Sequence, residues 1–127
     1  MGRVVLDASA ILVLINDEPG AAAVAEALED AVVSAVNLSE VVAKLLDAGM
    51  PRDEAEDTLG GLGLEVLPFN EAAAWSAAAL RTGTKKAGLS LGDRACLALA
   101  RELGLPALTS DTAWAKTPAG VEVRLVR

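Results

Sequence analysis

Four acidic residues stand at predicted helix starts, in a pattern that could hold a metal ion. Three of them follow or adjoin short apolar runs that predict strands, at residues 3–6, 32–36 and 106–109. In a parallel α/β sheet the carboxyl ends of the strands lie at one edge, where such folds bind ligands. Clustered carboxylates repel one another unless a cation lies among them, and magnesium prefers oxygen ligands. The sequence therefore predicts a divalent-metal site formed by Asp7, Glu40, Asp93 and Asp111.

Metal-assisted cleavage of phosphodiester bonds is the chemistry that such a site predicts. The sequence contains no histidine, which excludes Ser-His-Asp triads, other His-based acid–base catalysis and most zinc sites. The single cysteine, Cys96, lies in an apolar run at residues 95–100 and is interpreted as a core residue. No other catalytic machinery is evident.

Each acid also has a purely structural interpretation, because acids are favoured at helix starts. Glu40 would complete a capping box with Asn37 or pair with Lys44. Asp93 would close a cap with Ser90, and the other two acids would be plain N-caps. Asp93 favours the metal-site interpretation over the structural one, because it begins the most apolar helix, where an unpaired charge would be costly.

Hydroxyl and basic side chains near the acids are candidates for supporting roles. Ser9 and Thr109 lie two positions from Asp7 and Asp111, so their hydroxyls could bond a carboxylate or a phosphate, or simply cap a turn. Four basic residues around Asp93 could contact substrate phosphates, with solvated surface charge as the alternative: Arg81, Lys85, Lys86 and Arg94.

Composition limits the class of protein. The length of 127 residues predicts one domain, residues 1–127. The net charge of −7 argues against a protein that coats nucleic acid, although a bound cation would reverse the local field at the acids. The sequence contains no apolar stretch of the roughly 18 to 20 residues that would span a bilayer, and no signal-peptide pattern. A cytoplasmic protein without membrane contact is expected.

Strand-like and helix-like segments alternate along the chain, which predicts a parallel sheet covered by helices on both faces. Asn37 is expected to cap the helix after the second strand, and Asn70 to cap an alanine-rich helix. The other expectations are a mobile loop at residues 82–88, a buried helix from residue 90 to about 103, and a last strand at a sheet edge at residues 121–126.

The chain resembles PIN domains, specifically the VapC-like toxin ribonucleases of toxin–antitoxin systems. The matching motifs occur in the family's order at residues 5–10 (VLDASA), 37–41 (NLSEV), 89–95 (LSLGDRA) and 108–111 (LTSD). The resemblance implies a Rossmann-like three-layer αβα sandwich with a mainly parallel sheet of about five strands. It also implies magnesium or manganese, an RNA substrate, a homodimer and a cognate antitoxin.

By motif position, the resemblance carries the catalytic and metal-binding roles onto the four acids, with Ser9 and Thr109 in support. Two other functions stay open at this point. One is a catalytically silent PIN-like interaction module whose acids only cap helices. The other is phosphoryl transfer through Asp7 as nucleophile, although position 9 is serine and no catalytic lysine is evident.

Overall fold

A five-stranded, all-parallel sheet forms the centre of the protein in a computed structural model that describes residues 2–116 and 120–126. The strand order is β3-β2-β1-β4-β5. The strands are β1 (Val4–Leu6), β2 (Ala31–Ser34), β3 (Glu65–Leu67), β4 (Ala107–Thr109) and β5 (Val123–Leu125). The order turns back between β1 and β4, so the topological switch point lies there, and the expected edge position of the last strand is confirmed.

Helices cover both faces of the sheet. They are α1 (Ala8–Ile15), α2 (Ala21–Ala27), α3 (Ala35–Asp47), α4 (Arg52–Gly60), α5 (Glu71–Thr84) and α6 (Leu91–Leu103). Because strand side chains alternate between faces, Leu6 and Val33 pack in one apolar cluster with α1 to α4. Val5 and Val32 pack in the other cluster, with α5 and α6. The expected three-layer αβα sandwich is therefore confirmed.

The boundary between β2 and α3 differs from the prediction. The strand ends at Ser34, whose hydroxyl accepts a hydrogen bond from the Val36 amide and caps α3. Asn37 therefore lies inside the first turn of the helix, and its predicted role as the N-cap is wrong. The β-branched Val36 favoured a longer strand locally, but the cap at Ser34 starts the helix three residues earlier than a cap at Asn37 would.

Residues 82–87 are helical, whereas the sequence predicted a mobile loop at residues 82–88. Helix α5 continues to Thr84, and a 3₁₀ turn follows at Lys85–Ala87. Thr84 is buried and donates a hydrogen bond from its hydroxyl to the Leu80 carbonyl, which holds the last turn of α5 in place. Asn70 caps the other end of this helix as expected, with its side chain accepting from Ala73 N.

Helix α6 is less buried than its apolar composition predicted. One face packs on the sheet through residues such as Cys96 and Leu97, but Leu91 and Leu103 at its two ends are exposed. No helix within residues 2–116 and 120–126 combines the length and apolar character needed to cross a bilayer.

Candidate acidic site at the sheet edge

Asp7 lies at the carboxyl end of β1, beside the switch point, and is 5% exposed. Its Oδ1 accepts hydrogen bonds from the Ala10 amide (2.9 Å) and the Ser9 hydroxyl (2.7 Å). Its Oδ2 accepts from the Thr109 hydroxyl at 2.7 Å, across the gap between β1 and β4. Asp7 is thus both the N-cap of α1 and the centre of a hydroxyl network, and the two hydroxyls meet the carboxylate as expected.

Thr109 and Ser9 connect this network to the turn that follows β4. The Thr109 hydroxyl accepts from the Asp111 amide at 3.0 Å, and the Ser9 hydroxyl accepts from the Ser110 amide at 3.0 Å. The Asp111 carboxylate itself is exposed and accepts from the Ala113 amide through its Oδ1. Asp111 therefore lies on the same rim as Asp7, tied to it through backbone and hydroxyl groups.

Asp93 occupies the first turn of α6 and closes a capping box. Its Oδ2 accepts from the Ser90 amide (3.0 Å), while its own amide donates to the Ser90 hydroxyl (3.1 Å). Asp93 therefore makes the capping contact with Ser90 that its structural interpretation predicted. A capping carboxylate has a second oxygen, so this bond does not exhaust its capacity to accept.

Glu40 reaches from α3 to the start of α6. Its Oε1 accepts a hydrogen bond from the Asn37 side-chain amide at 2.9 Å, and the same amide donates to the Gly92 carbonyl at 3.0 Å. The Glu40 carboxylate lies against Gly92, where a Cβ atom would collide with both of its oxygens. The absent side chain at position 92 therefore makes room for Glu40 one residue before Asp93.

The pKa values of two buried groups, the Asp7 carboxyl and the Cys96 thiol, are raised partly by the charges of nearby acids. Burial raises the pKa of Asp7; the three hydrogen bonds oppose this effect, and the negative charge of Asp93 adds to it. Burial also raises the pKa of the Cys96 thiol well above its usual value, with further contributions from Asp7, Asp93 and Glu40. Three of the four acids therefore act electrostatically on one region at the start of α6.

No cation balances these acids within the described residues. The three ion pairs described there all lie at exposed positions elsewhere: Arg3 with Glu65, Arg52 with Glu56, and Arg124 with Glu122. Asp7 is thus a buried carboxyl group whose ionised form is stabilised only by hydrogen bonds. A positive ion beside such a group would offset the cost of keeping it ionised.

The donor set fits a hard divalent cation, although the side chains are not already arranged as a ligand shell. Four carboxylates offer oxygen ligands, the type that magnesium and manganese take. Among the described residues, however, no three acidic or cysteine side chains are already placed to hold one metal ion. One oxygen of Asp93 and one of Asp111 accept from backbone amides, so the second oxygen of each carboxylate is the one that would face an ion.

The four basic candidates fall into two environments. Arg94 donates from Nη1 to the Ala77 carbonyl of α5, so its side chain lies in the α5–α6 interface. Its Nε is buried and has no hydrogen-bond partner among the residues that the structure describes. Arg81, Lys85 and Lys86 are exposed at the end of α5 and in the following turn. A concavity of about 650 Å³ lies between residues 82–87 and Ala113. The exposed basic residues therefore adjoin the turn that begins at Asp111.

Sequence reasoning missed the joint role of Asn37 and Gly92. The asparagine was interpreted as a cap, yet it is 1% exposed and bridges two helices. Two signals were available. Asn37 is one helical turn before Glu40, so both share a face of α3. Gly92 is an unusual residue for the first turn of a helix, where a missing Cβ suggests close approach of another group.

The family of the chain follows from a match over most of its length. The family model described as the PIN domain matches residues 4–120. This chain belongs to the PIN domain family. The solved structures that match the chain include toxin–antitoxin proteins. One is the DNA-bound VapBC of Salmonella typhimurium, with a TM-score of 0.78 and 19% identity, covering 100% of both chains.

Two further solved structures share the fold. FitAB bound to an IR36 DNA fragment matches with a TM-score of 0.75 and 24% identity, over 97% of this chain and 94% of the other. VapBC-5 of Mycobacterium tuberculosis, a member of the VapBC family of toxin–antitoxin systems, matches with a TM-score of 0.68 and 27% identity, over 100% and 99%. No curated protein matches the chain significantly. The family match and the likeness to VapBC structures together identify the chain as a VapC-like PIN domain.

Proposed function

We propose that this PIN domain is a metal-dependent endoribonuclease that acts as the toxin of a toxin–antitoxin pair. The observation that carries the proposal is the buried Asp7 carboxyl group, which no cation balances among the described residues and which shares its surroundings with Asp93 and Glu40. PIN domains are generally nucleases, and the relatives with solved structures are described as toxin–antitoxin proteins. A cytoplasmic homodimer with a cognate antitoxin belongs to the same proposal.

Asp7, Glu40, Asp93 and Asp111 would hold Mg²⁺ or Mn²⁺ in this proposal. The bound ion would activate water for attack at phosphorus and stabilise the negative charge of the phosphate oxygens. Asp7 provides the buried anchor, because three hydrogen bonds fix its orientation at the switch point. Ser9 and Thr109 are positioning residues for that carboxylate, since each donates its hydroxyl proton to one Asp7 oxygen.

Cleavage of a labelled single-stranded RNA by the purified protein tests the proposal. We expect internal cuts with Mg²⁺ or Mn²⁺, none after chelation by EDTA, and none in a DNA of the same base sequence. Glu40→Gln should lose this activity, whereas Asp47→Asn, an exposed acid at the end of the same helix, should retain it. Cleavage that persists in EDTA would contradict the assigned chemistry.

The main alternative is a catalytically silent interaction module, and one set of contacts favours it. Three of the acids accept hydrogen bonds from nearby backbone amides, as helix or turn caps do: Asp7, Asp93 and Asp111. This alternative predicts no uptake of Mg²⁺ or Mn²⁺ in calorimetry and no cleavage of any RNA. Uptake of manganese together with metal-dependent cleavage would exclude it.

The basic turn after α5 is the proposed path for the RNA backbone. Residues 72–92 contain no acidic residue in a chain whose net charge is −7, and they carry Arg81, Lys85 and Lys86. All three are exposed, and the concavity that Lys85 and Lys86 line reaches Ala113, beside the proposed metal site. A polyanion approaching the acids from this side would therefore meet positive charge first.

Replacing Lys85 and Lys86 together by glutamate should weaken RNA binding without disturbing metal uptake. Each lost phosphate contact lowers the salt dependence of binding to a single strand by about 0.7 in slope, so two contacts lower it by roughly 1.4. KM should rise while kcat changes little, because the contacts position the substrate and do not touch the reacting atoms. Lys44→Glu, a single replacement at an exposed position on α3 with half of this charge change, is the control. Equal losses in both proteins would reject this path.

A further inference from the structure

Asn37 is a buried polar side chain whose hydrogen bonds are only half made. It is 1% exposed in the first turn of α3. Its Nδ2 donates twice, to Glu40 Oε1 at 2.9 Å and to the Gly92 carbonyl at 3.0 Å. Its Oδ1 is buried and has no hydrogen-bond partner within residues 2–116 and 120–126. A buried acceptor without a donor is unfavourable, so this amide requires an explanation other than general stability.

The neighbours of Asn37 determine which way its amide faces. Glu40 Oε1 and the Gly92 carbonyl are both acceptors, so only the NH₂ group can lie between them. The reversed amide would bring Oδ1 against two other oxygens. The unpartnered Oδ1 is therefore a consequence of directing both amide protons at the Glu40 carboxylate and the first turn of α6.

The same contacts restrict where the Glu40 carboxylate can lie. Asn37 holds one of its oxygens, and the missing side chain of Gly92 lets the carboxylate approach α6 where a Cβ atom would collide with both oxygens. Asp93 follows Gly92 directly, so this arrangement brings two acids from different helices side by side. Neighbouring carboxylates repel each other, and the amide proton that Asn37 donates to Glu40 Oε1 partly offsets that repulsion.

We propose that Asn37 is a positioning residue for the metal site, which acts by fixing the Glu40 carboxylate against Gly92 next to Asp93. The inference rests on the proposed function, because it presumes that these acids share a divalent ion. Groups that orient metal ligands typically change metal affinity by about 10- to 100-fold when they are replaced. Leucine has the same number and branching of side-chain heavy atoms as asparagine, so it would remove the unpartnered acceptor with little change in shape.

Asn37→Leu separates a positioning role from a structural one. We expect the metal-free protein, in EDTA, to unfold at the same temperature as the wild type or at a higher one. Calorimetry with MnCl₂ should show affinity about 10- to 100-fold weaker. Ser39→Ala, at an exposed position in the same helical turn, should change neither property. Asn37→Ala, which adds no apolar bulk, provides a second variant if the leucine does not fit.

A double-mutant comparison tests whether Asn37 acts through Glu40. In a Glu40→Gln background, Asn37→Leu should weaken manganese binding by no more than about twofold, the scatter expected of independent sites. An equal loss in both backgrounds, or wild-type affinity in both Asn37 variants, would overturn the inference. If the wild-type protein itself takes up no manganese, the metal dependence of the proposed function fails as well. If it does take up manganese and the variants match it, only the role of Asn37 fails.

Discussion

Asp7→Asn is expected to eliminate metal-dependent RNA cleavage while the protein remains folded. The substitution keeps the size and most hydrogen bonds of the side chain but removes the buried negative charge that anchors the ion. Loss of several kcal/mol of transition-state stabilisation corresponds to about three orders of magnitude in rate. The measurement is single-turnover cleavage with saturating Mn²⁺, beside circular dichroism of the same sample.

Asp17→Asn is the matched control for this change. Asp17 is an exposed acid after α1 with a positive φ of 51°, a backbone conformation that asparagine tolerates well. This variant also replaces a carboxylate by an amide, but at a position away from the site. It should therefore cleave RNA at the wild-type rate. Wild-type activity in Asp7→Asn would remove Asp7 from the mechanism.

The same substitution should stabilise the metal-free protein at neutral pH. Burial raises the pKa of Asp7 above its ordinary value of 3.8, so between 3.8 and the folded-state pKa the folded protein holds a proton that the unfolded chain has lost. Stability therefore falls as pH rises through this window, and the loss persists above it. Asparagine is neutral throughout and avoids this loss. Denaturant unfolding in EDTA should show the advantage of Asp7→Asn at pH 7 and no advantage below pH 3.8.

Gly92→Ala is the second change with a large expected effect. The added Cβ would occupy the place of both Glu40 carboxylate oxygens, so the carboxylate must leave the start of α6. The displaced atoms are the end of a flexible side chain, and alanine favours helix over glycine by about 1 kcal/mol, so the fold should survive. Manganese affinity should fall by about 10- to 100-fold, the range observed when metal-site geometry is disturbed.

Gly83→Ala provides a sharp comparison for this prediction. Gly83 also lies within a helix, but a Cβ there would meet no atom within 4 Å. Both alanine variants gain helix propensity, and only the one at position 92 encounters Glu40. Calorimetry with MnCl₂ and thermal unfolding in EDTA should thus show unchanged metal binding for Gly83→Ala. Equal metal affinity in the two variants would show that the placement of Glu40 against Gly92 is unimportant.

Local patterns were sufficient to predict most of the fold. Short apolar runs before Asp7 and Asp111 indicated parallel strands, and the capping residues Asn70 and Ser90 marked helix starts correctly. The errors arose where two local preferences competed. Val36 favours strands, yet the Ser34 hydroxyl captures its amide and starts α3. The glycines at positions 83 and 88 suggested a loop, yet the buried Thr84 extends α5 between them.

The sequence alone determined which chemical groups are available: four carboxylates in family order, two hydroxyls beside them, and no histidine. Only the tertiary structure decided how these groups meet. The Asp7–Thr109 and Asn37–Gly92 hydrogen bonds join residues 102 and 55 positions apart, which no local preference encodes. They depend on the parallel strand order and on helix packing, because those long-range arrangements bring the ends of β1, β4, α3 and α6 to one edge of the sheet.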